Sequence, residues 1–253
     1  MMLDAMGKIR VPRLPRSFLT FLHKGLGLKN LADHIEQRQN LLGLINLPIR
    51  TVLDVGANKG LSARDWLRAF PDAHVHCIEP IPRLCEDIER WARSSGNAIT
   101  VANLALAREP GESTFYVDRR NDIWSTFIEP SAENASRYDP ITVRVDTLDH
   151  AAGAMDLVDD VLVKIDTEGW DLEVILGGSE TLGRATAVMV ESVFYPNALG
   201  AGAPTFEDIS RALWEIGYVY RGNIRVGCHH GTPMLADVLF VKREAAERMV
   251  ERA

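Results

Sequence analysis

The chain has 253 residues, of which 46% are hydrophobic and 25% charged, enough for a sizeable buried core and too apolar for a disordered or fibrous chain. A net charge of -7 excludes a bulk electrostatic preference for nucleic acid, which requires Lys and Arg to displace condensed counterions. Cys77, Cys85 and Cys228 are odd in number and widely spaced, so they form neither a disulfide framework nor a zinc pattern, and a reducing cytoplasm fits best.

Two helical patterns come first, from about Ser17 to Leu26 and from about Leu28 to Asn46, with Pro48 stopping the second. Residues 1–48 are therefore expected to form a helical appendage, and 49–253 the main domain. Lys8, Arg10, Arg13, Arg16, Lys24 and Lys29 punctuate the apolar Phe18, Leu19, Phe21, Leu22, Leu26 and Leu28. That mixture suits peripheral contact with anionic lipid or association with a partner, a second copy included. The plainer alternative, a solvated helix packed by its apolar face, is preferred. No apolar run approaches the roughly 20 residues that span a bilayer. The basic N-terminus lacks a signal-peptide core and reads as mature sequence.

From Arg50 onward, short β-rich runs alternate with amphipathic helices, the pattern of an α/β fold whose mostly parallel sheet is covered on both faces. Strands are expected at Thr51–Val55, His74–Ile78, Ile99–Leu104, Val161–Ile165, Ala187–Val193, Tyr218–Ile224 and Val238–Val241. Helices are expected at Leu61–Phe70, Arg83–Arg93 and Phe206–Ile216, and Leu172–Leu176 begins another that Gly177 and Gly178 could interrupt or end. Ser113–Val117 and Ile141–Val145 read as extra edge strands, with a long polar loop, Asp118–Pro140, between them as a candidate lid.

The stretch Leu53-Asp54-Val55-Gly56-Ala57-Asn58-Lys59-Gly60 is a buried strand ending in an acid and a glycine-containing turn before a helix. Open α/β sheets bind ligands at the carboxyl ends of their strands. Gly56 and Gly60 let the backbone turn tightly and approach a ligand. The fuller glycine fingerprint of a dinucleotide site, whose helix N-terminus receives a pyrophosphate, is incomplete. S-adenosylmethionine has no phosphate and a zwitterionic end, so Asp54 could orient its ammonium directly or through water. Glu79, ending the second strand, could accept hydrogen bonds from both ribose hydroxyls. Together they favour adenosylmethionine over a merely tight strand-to-helix turn.

Several ordered motifs then resemble the FkbM-type methyltransferases from Thr51 to about Glu191: the loop above, Ile78-Glu79-Pro80-Ile81-Pro82, Asn103-Leu104-Ala105-Leu106 with Gly111-Glu112, Val145-Asp146-Thr147-Leu148-Asp149, and Lys164-Ile165-Asp166-Thr167-Glu168-Gly169. The resemblance implies a Rossmann-like class I methyltransferase fold with a seven-stranded sheet. It also implies S-adenosyl-L-methionine as donor and O-methylation of sugars, glycolipids or secondary metabolites. By similarity, Asp54, Gly56, Asn58, Gly60, Glu79 and Pro80 surround the donor, Asn103 to Ala105 flank its adenine, and Ser125 faces the cleft. Trp170 stands where many relatives carry a smaller residue.

Methyl transfer from a sulfonium needs an oxygen lone pair held in line with the methyl carbon, and a base to take the hydroxyl proton. Asp166 and Glu168 lie two apart at a strand end, and Glu191 ends the next strand, so the three acids are expected to converge beside the donor. Such acids suit a general base, which is favoured, or a hard cation such as magnesium, which is not expected. The competing role for Asp166 and Glu168 is to cap the following helix. His229 and His230 read as exposed loop residues. Trp124, Phe127, Trp170, Phe194 and Tyr195 could line an acceptor pocket, although each alone suits the core. The alternatives are an N-methyltransferase, a nicotinamide-dependent oxidoreductase on a similar sheet, and a non-catalytic module on the same fold.

Overall fold

A computed structural model describes residues 2–3, 9–10, 15–25 and 41–251. Strands β1 (Thr51–Val55), β2 (His74–Ile78), β3 (Ile99–Ala102), β7 (Val161–Ile165), β8 (Ala187–Val193), β9 (Tyr218–His229) and β10 (Thr232–Lys242) form one sheet of 7 strands. Strands β4 (Ala105–Leu106), β5 (Gly111–Asp118) and β6 (Tyr138–Asp146) form a second sheet of 3. The main order is β9-β10-β8-β7-β1-β2-β3, in which β10 alone runs against the rest. This is the expected α/β Rossmann-like class I arrangement.

Helices cover both faces. On one side α1 (Leu61–Ala69), α2 (Pro82–Ser95) and α7 (Arg243–Glu251) pack Ala63, Trp66, Ile88, Ala245 and Met249 against Val52, Val75, Leu162 and Leu239. On the other, α3 (Leu148–Gly153), α4 (Asp171–Leu176), α5 (Ser179–Arg184) and α6 (Phe206–Glu215) pack Ala151, Val174, Leu182 and Ile209 against Leu53, Val163, Val188 and Val238. The central strand β7 is buried along its whole length, which is why it reads as a continuous apolar run. Pro82 in the first turn of α2 and left-handed Gly96 after its end set that helix's limits.

The second sheet corrects one expectation. Ser113–Val117 and Ile141–Val145 pair with each other in register, not with an edge of the main sheet. The chain leaves β3 at Ala102, turns at Asn103, and Ala105-Leu106 joins β6 instead. Ile81, Leu84, Ala105, Phe115, Val143 and Val145 form a satellite core there. The last two strands are longer than expected and meet at a two-residue turn, His230-Gly231, both with positive φ.

Near the N-terminus, Arg16–Thr20 is α-helical and continues as a π-helical turn, Phe21–Gly25. Most of the helix expected from Leu28 to Asn46 lies outside the described residues. Its last part, Leu41–Asn46, is a 3-10 segment broken by left-handed Leu42 and Gly43, and its Leu44 is buried in the α1/α2/α7 face of the core. Among the described residues no helix is long and apolar enough to cross a membrane.

Candidate active site

The carboxyl ends of β1, β2, β7 and β8 lie side by side, because Val55 pairs with both Ile78 and Ile165, and Ile165 with Val190. Alternation along the strands puts Asp54, Lys164, Glu191 and Asp237 on the sheet face that carries α1, α2 and α7. A row of charge therefore crosses the top of an otherwise apolar surface.

Beyond β1 the loop is held by the ends of its neighbours. Gly56 N–H and Ala57 N–H both donate to the Ile78 carbonyl, at 3.0 and 3.1 Å. Gly56 has φ +71°, and a Cβ there would collide with the backbone carbonyl of Asp166. The glycine thus serves close approach of two strand ends in addition to any ligand. Gly60, at φ +67°, precedes α1 over Ile88.

Glu79 is buried, and both of its oxygens are in use: Oε2 accepts from Asn58 N–H at 2.8 Å, and Oε1 from Ile81 N–H at 2.9 Å. Burial pushes its carboxyl up to about 7 despite those two donors. Asn103 donates to the carbonyls of Glu79 and Pro80, each at 3.0 Å, and so pins the turn that presents Glu79. This is a positioning role that its motif does not reveal. These residues fit an adenosine: a carboxylate with spare lone pairs at the end of β2, beside a turn free of side chains at Gly56 and Gly60.

Three of the expected site residues are buried within the fold. Asp54 is fully buried, with Oδ2 accepting from Ser62 Oγ at 2.6 Å and Oδ1 lying 3.3 Å from Lys164 Nζ. It anchors the loop, and direct contact with an ammonium would require displacing those partners. Ala105 is buried in the satellite core. Ser125 is buried, and its Oγ accepts from Asp118 N–H at 3.1 Å, closing the turn at the end of β5.

Lys164 is the residue that sequence reasoning passed over. Its Nζ lies 3.3 Å from Asp54 and 3.4 Å from Asp166, and donates to the carbonyls of Val55 and Gly56 at 3.3 and 3.0 Å. Burial alone would lower its proton affinity, but Asp166 and Asp54 more than offset that and hold the ammonium charged. A lone lysine interrupting an apolar strand was the available signal. It ties the donor-side loop to the acidic side of the cleft.

On that acidic side, β7 ends at Ile165, and left-handed Glu168 and Gly169 turn the chain into α4. Asp166, Glu168 and Glu191 nevertheless converge, each with an oxygen within 4.8 Å of the others. Burial, then repulsion from Asp166, Glu168, Asp237 and Asp171, raises the Glu191 carboxyl well above its usual range. Neither Asp166 nor Glu168 caps α4. Asp171, also missed in the sequence, holds the turn: Oδ1 accepts from Thr167 N–H at 2.9 Å and from Thr167 Oγ at 3.0 Å, and Oδ2 from Gly169 N–H at 3.3 Å.

Residues 119–137 cross above these strand ends. Asp122 pairs with Lys59 of the β1 loop at 3.2 Å and with Arg83 of α2, and Thr126 Oγ donates to the Glu168 carbonyl at 2.8 Å. The expected aromatic wall divides. Phe127 packs between Phe115, edge-on, and Trp170, tilted, with centroids 4.9 and 5.2 Å away, whereas Phe194 joins Phe206 at 5.9 Å. Trp124 and Tyr195 are exposed, as are His229 and His230.

A family model described as the methyltransferase FkbM domain matches residues 54–220. The 2-O-methyltransferase NoeI of Sinorhizobium fredii (strain NBRC 101917 / NGR234) is 25% identical over 178 residues, covering 65% of this chain and 72% of that protein. The fold is similar to the crystal structure of the FkbM methyltransferase from Methylobacillus flagellatus KT, with a TM-score of 0.51 and 12% identity over 89% of this chain and 57% of that one. This chain thus spans little more than half the length of that solved relative. With the family match running from the β1 loop through the acidic turn and into β9, the chain belongs to the FkbM methyltransferase family and is a methyltransferase.

Proposed function

We propose that this enzyme takes S-adenosylmethionine as donor and methylates a hydroxyl oxygen of a sugar, glycolipid or secondary metabolite. The observation that carries this reading is the meeting of Asp166, Glu168 and Glu191 next to the β1 loop, with Lys164 joining the two. The donor, bound along the ends of β1 and β2, would supply an electrophilic methyl carbon. Glu79 would hold the ribose hydroxyls, and the Gly56 to Gly60 turn would let the donor lie close to the backbone.

A hydroxyl is a poor acid, and its oxygen gains nucleophilicity only as its proton departs. A carboxylate within hydrogen-bond reach takes that proton as the new bond forms, worth roughly a hundredfold to ten-thousandfold. Asp166 and Glu168 are half-buried and so reachable from the cleft, while Glu191 stands behind them. An amine acceptor would need less help from such a cluster. NoeI, named as a 2-O-methyltransferase, supports oxygen as the atom methylated.

The test is a methyl-transfer assay across glycosyl and other hydroxyl acceptors. Asp166→Asn and Glu168→Gln should lower kcat far more than they weaken binding of S-adenosylhomocysteine. Variants that lose donor affinity while keeping kcat would overturn the assignment.

A further inference from the structure

We infer that Asp166, Glu168 and Glu191 form a binding site for one hard divalent cation, placed to hold the acceptor oxygen; the latter role rests on the hydroxyl reading above. The three side chains come from two adjacent strand ends, and one oxygen from each lies within 4.8 Å of the others. Oxygens that lie within 4.8 Å of one another can close on a single cation at the roughly 2.0–2.6 Å of hard-cation coordination.

Proximity of acids alone would not make a site. The independent observation is Glu191: the residue is only 7% exposed, and its Oε2 has no hydrogen-bond partner. A buried carboxylate oxygen without a partner is costly, and such groups in native folds call for an ion or other ligand. Its surroundings sharpen the case. Asp237 is its register partner on β10, and Asp171 is buried at the start of α4, so acids approach it from three elements. Lys164 lies 3.4 Å from Asp166 but is shared with Asp54 and with two backbone carbonyls.

Three protein oxygens leave half of an octahedral shell for waters and a substrate hydroxyl. Each carboxylate offers one oxygen to the cation, and the half-buried Asp166 or Glu168 takes the hydroxyl proton on its other oxygen. A cation here would polarise the acceptor oxygen and ease loss of that proton.

The experiment is titration of chelator-treated full-length protein with Mn2+, followed by loss of the free-ion paramagnetic resonance signal, in wild type, Glu191→Gln and Glu168→Gln. The expected result is one saturable Mn2+ per wild-type chain, weakened about tenfold or more in each variant, with binding of S-adenosylhomocysteine retained as the check on folding. No saturable Mn2+ in wild type, or binding in both variants as tight as in wild type, overturns the site. Full turnover in excess EDTA overturns the cation's role and leaves the methyltransferase reading intact. Mn2+ bound at this site with no turnover on any hydroxyl acceptor keeps the site and overturns the hydroxyl reading.

Discussion

At Glu79, burial and function pull against each other. Burial pushes the carboxyl up to about 7, whereas the proposed ribose hydroxyls would donate to its ionised form. Affinity for S-adenosylhomocysteine should therefore rise with pH through about 7 and level off above it, which calorimetry at stepped pH would show. A raised folded-state value also means that the stabilising contribution is complete below the ordinary carboxylate range and is lost as pH rises through about 7. Wild type should thus lose stability relative to Glu79→Gln between pH 5 and pH 8 in urea unfolding. Lys164 makes the opposite case. Lys164→Met removes the one partner that Asp54 and Asp166 share and leaves both acids uncompensated, which should cost about 3–5 kcal/mol in the same assay. A loss under 1 kcal/mol would show that the ammonium does not hold the strand ends together.

Between elements, the critical contact is β1 against β7. Gly56→Ala would drive a methyl group into the Asp166 carbonyl at a φ that L side chains rarely adopt, so about 1–3 kcal/mol of stability should go, with donor affinity lost alongside it. Asp122 works differently, since it bridges the β1 loop and α2 from the segment lying over both. Lys59 and Arg83 are about half exposed, and pairs of that kind contribute about 1 kcal/mol or less to global stability. Asp122→Ala should raise KM for the donor severalfold while leaving the melting temperature nearly unchanged; an unchanged KM would mean that the segment does not cover the donor. The strands that build this contact were legible. Thr51–Val55, His74–Ile78, Val161–Ile165 and Ala187–Val193 are buried runs that local pattern specifies to the residue. The second sheet was not, because Ser113–Val117 is half exposed and nothing in its alternation says which distant strand it pairs with. Short α3 and α5, six residues each, carry too few turns for a helical period to show.

For the whole molecule, the sheet order gathers residues at four neighbouring strand ends: Asp54 and Glu79 from β1 and β2, and acids from β7 and β8. Motif spacing marked Glu79, Asp166, Glu168 and Glu191 because they end buried strands. It could not mark Lys164, Asp171 or Asn103 as organisers, since their partners lie across the sheet or across a turn that only the fold closes. The same limit hides the partners of Ala105 and Ser125, which are buried in the satellite core and in the turn after β5. The proposed methyl transfer depends on a donor held at the ends of β1 and β2. Calorimetric titration with S-adenosylhomocysteine, with NAD in parallel, tests it most directly. The expected result is one S-adenosylhomocysteine per chain, an affinity about tenfold to a hundredfold weaker in Glu79→Ala, and no NAD binding. Saturable NAD binding, or S-adenosylhomocysteine affinity untouched by Glu79→Ala, would contradict it.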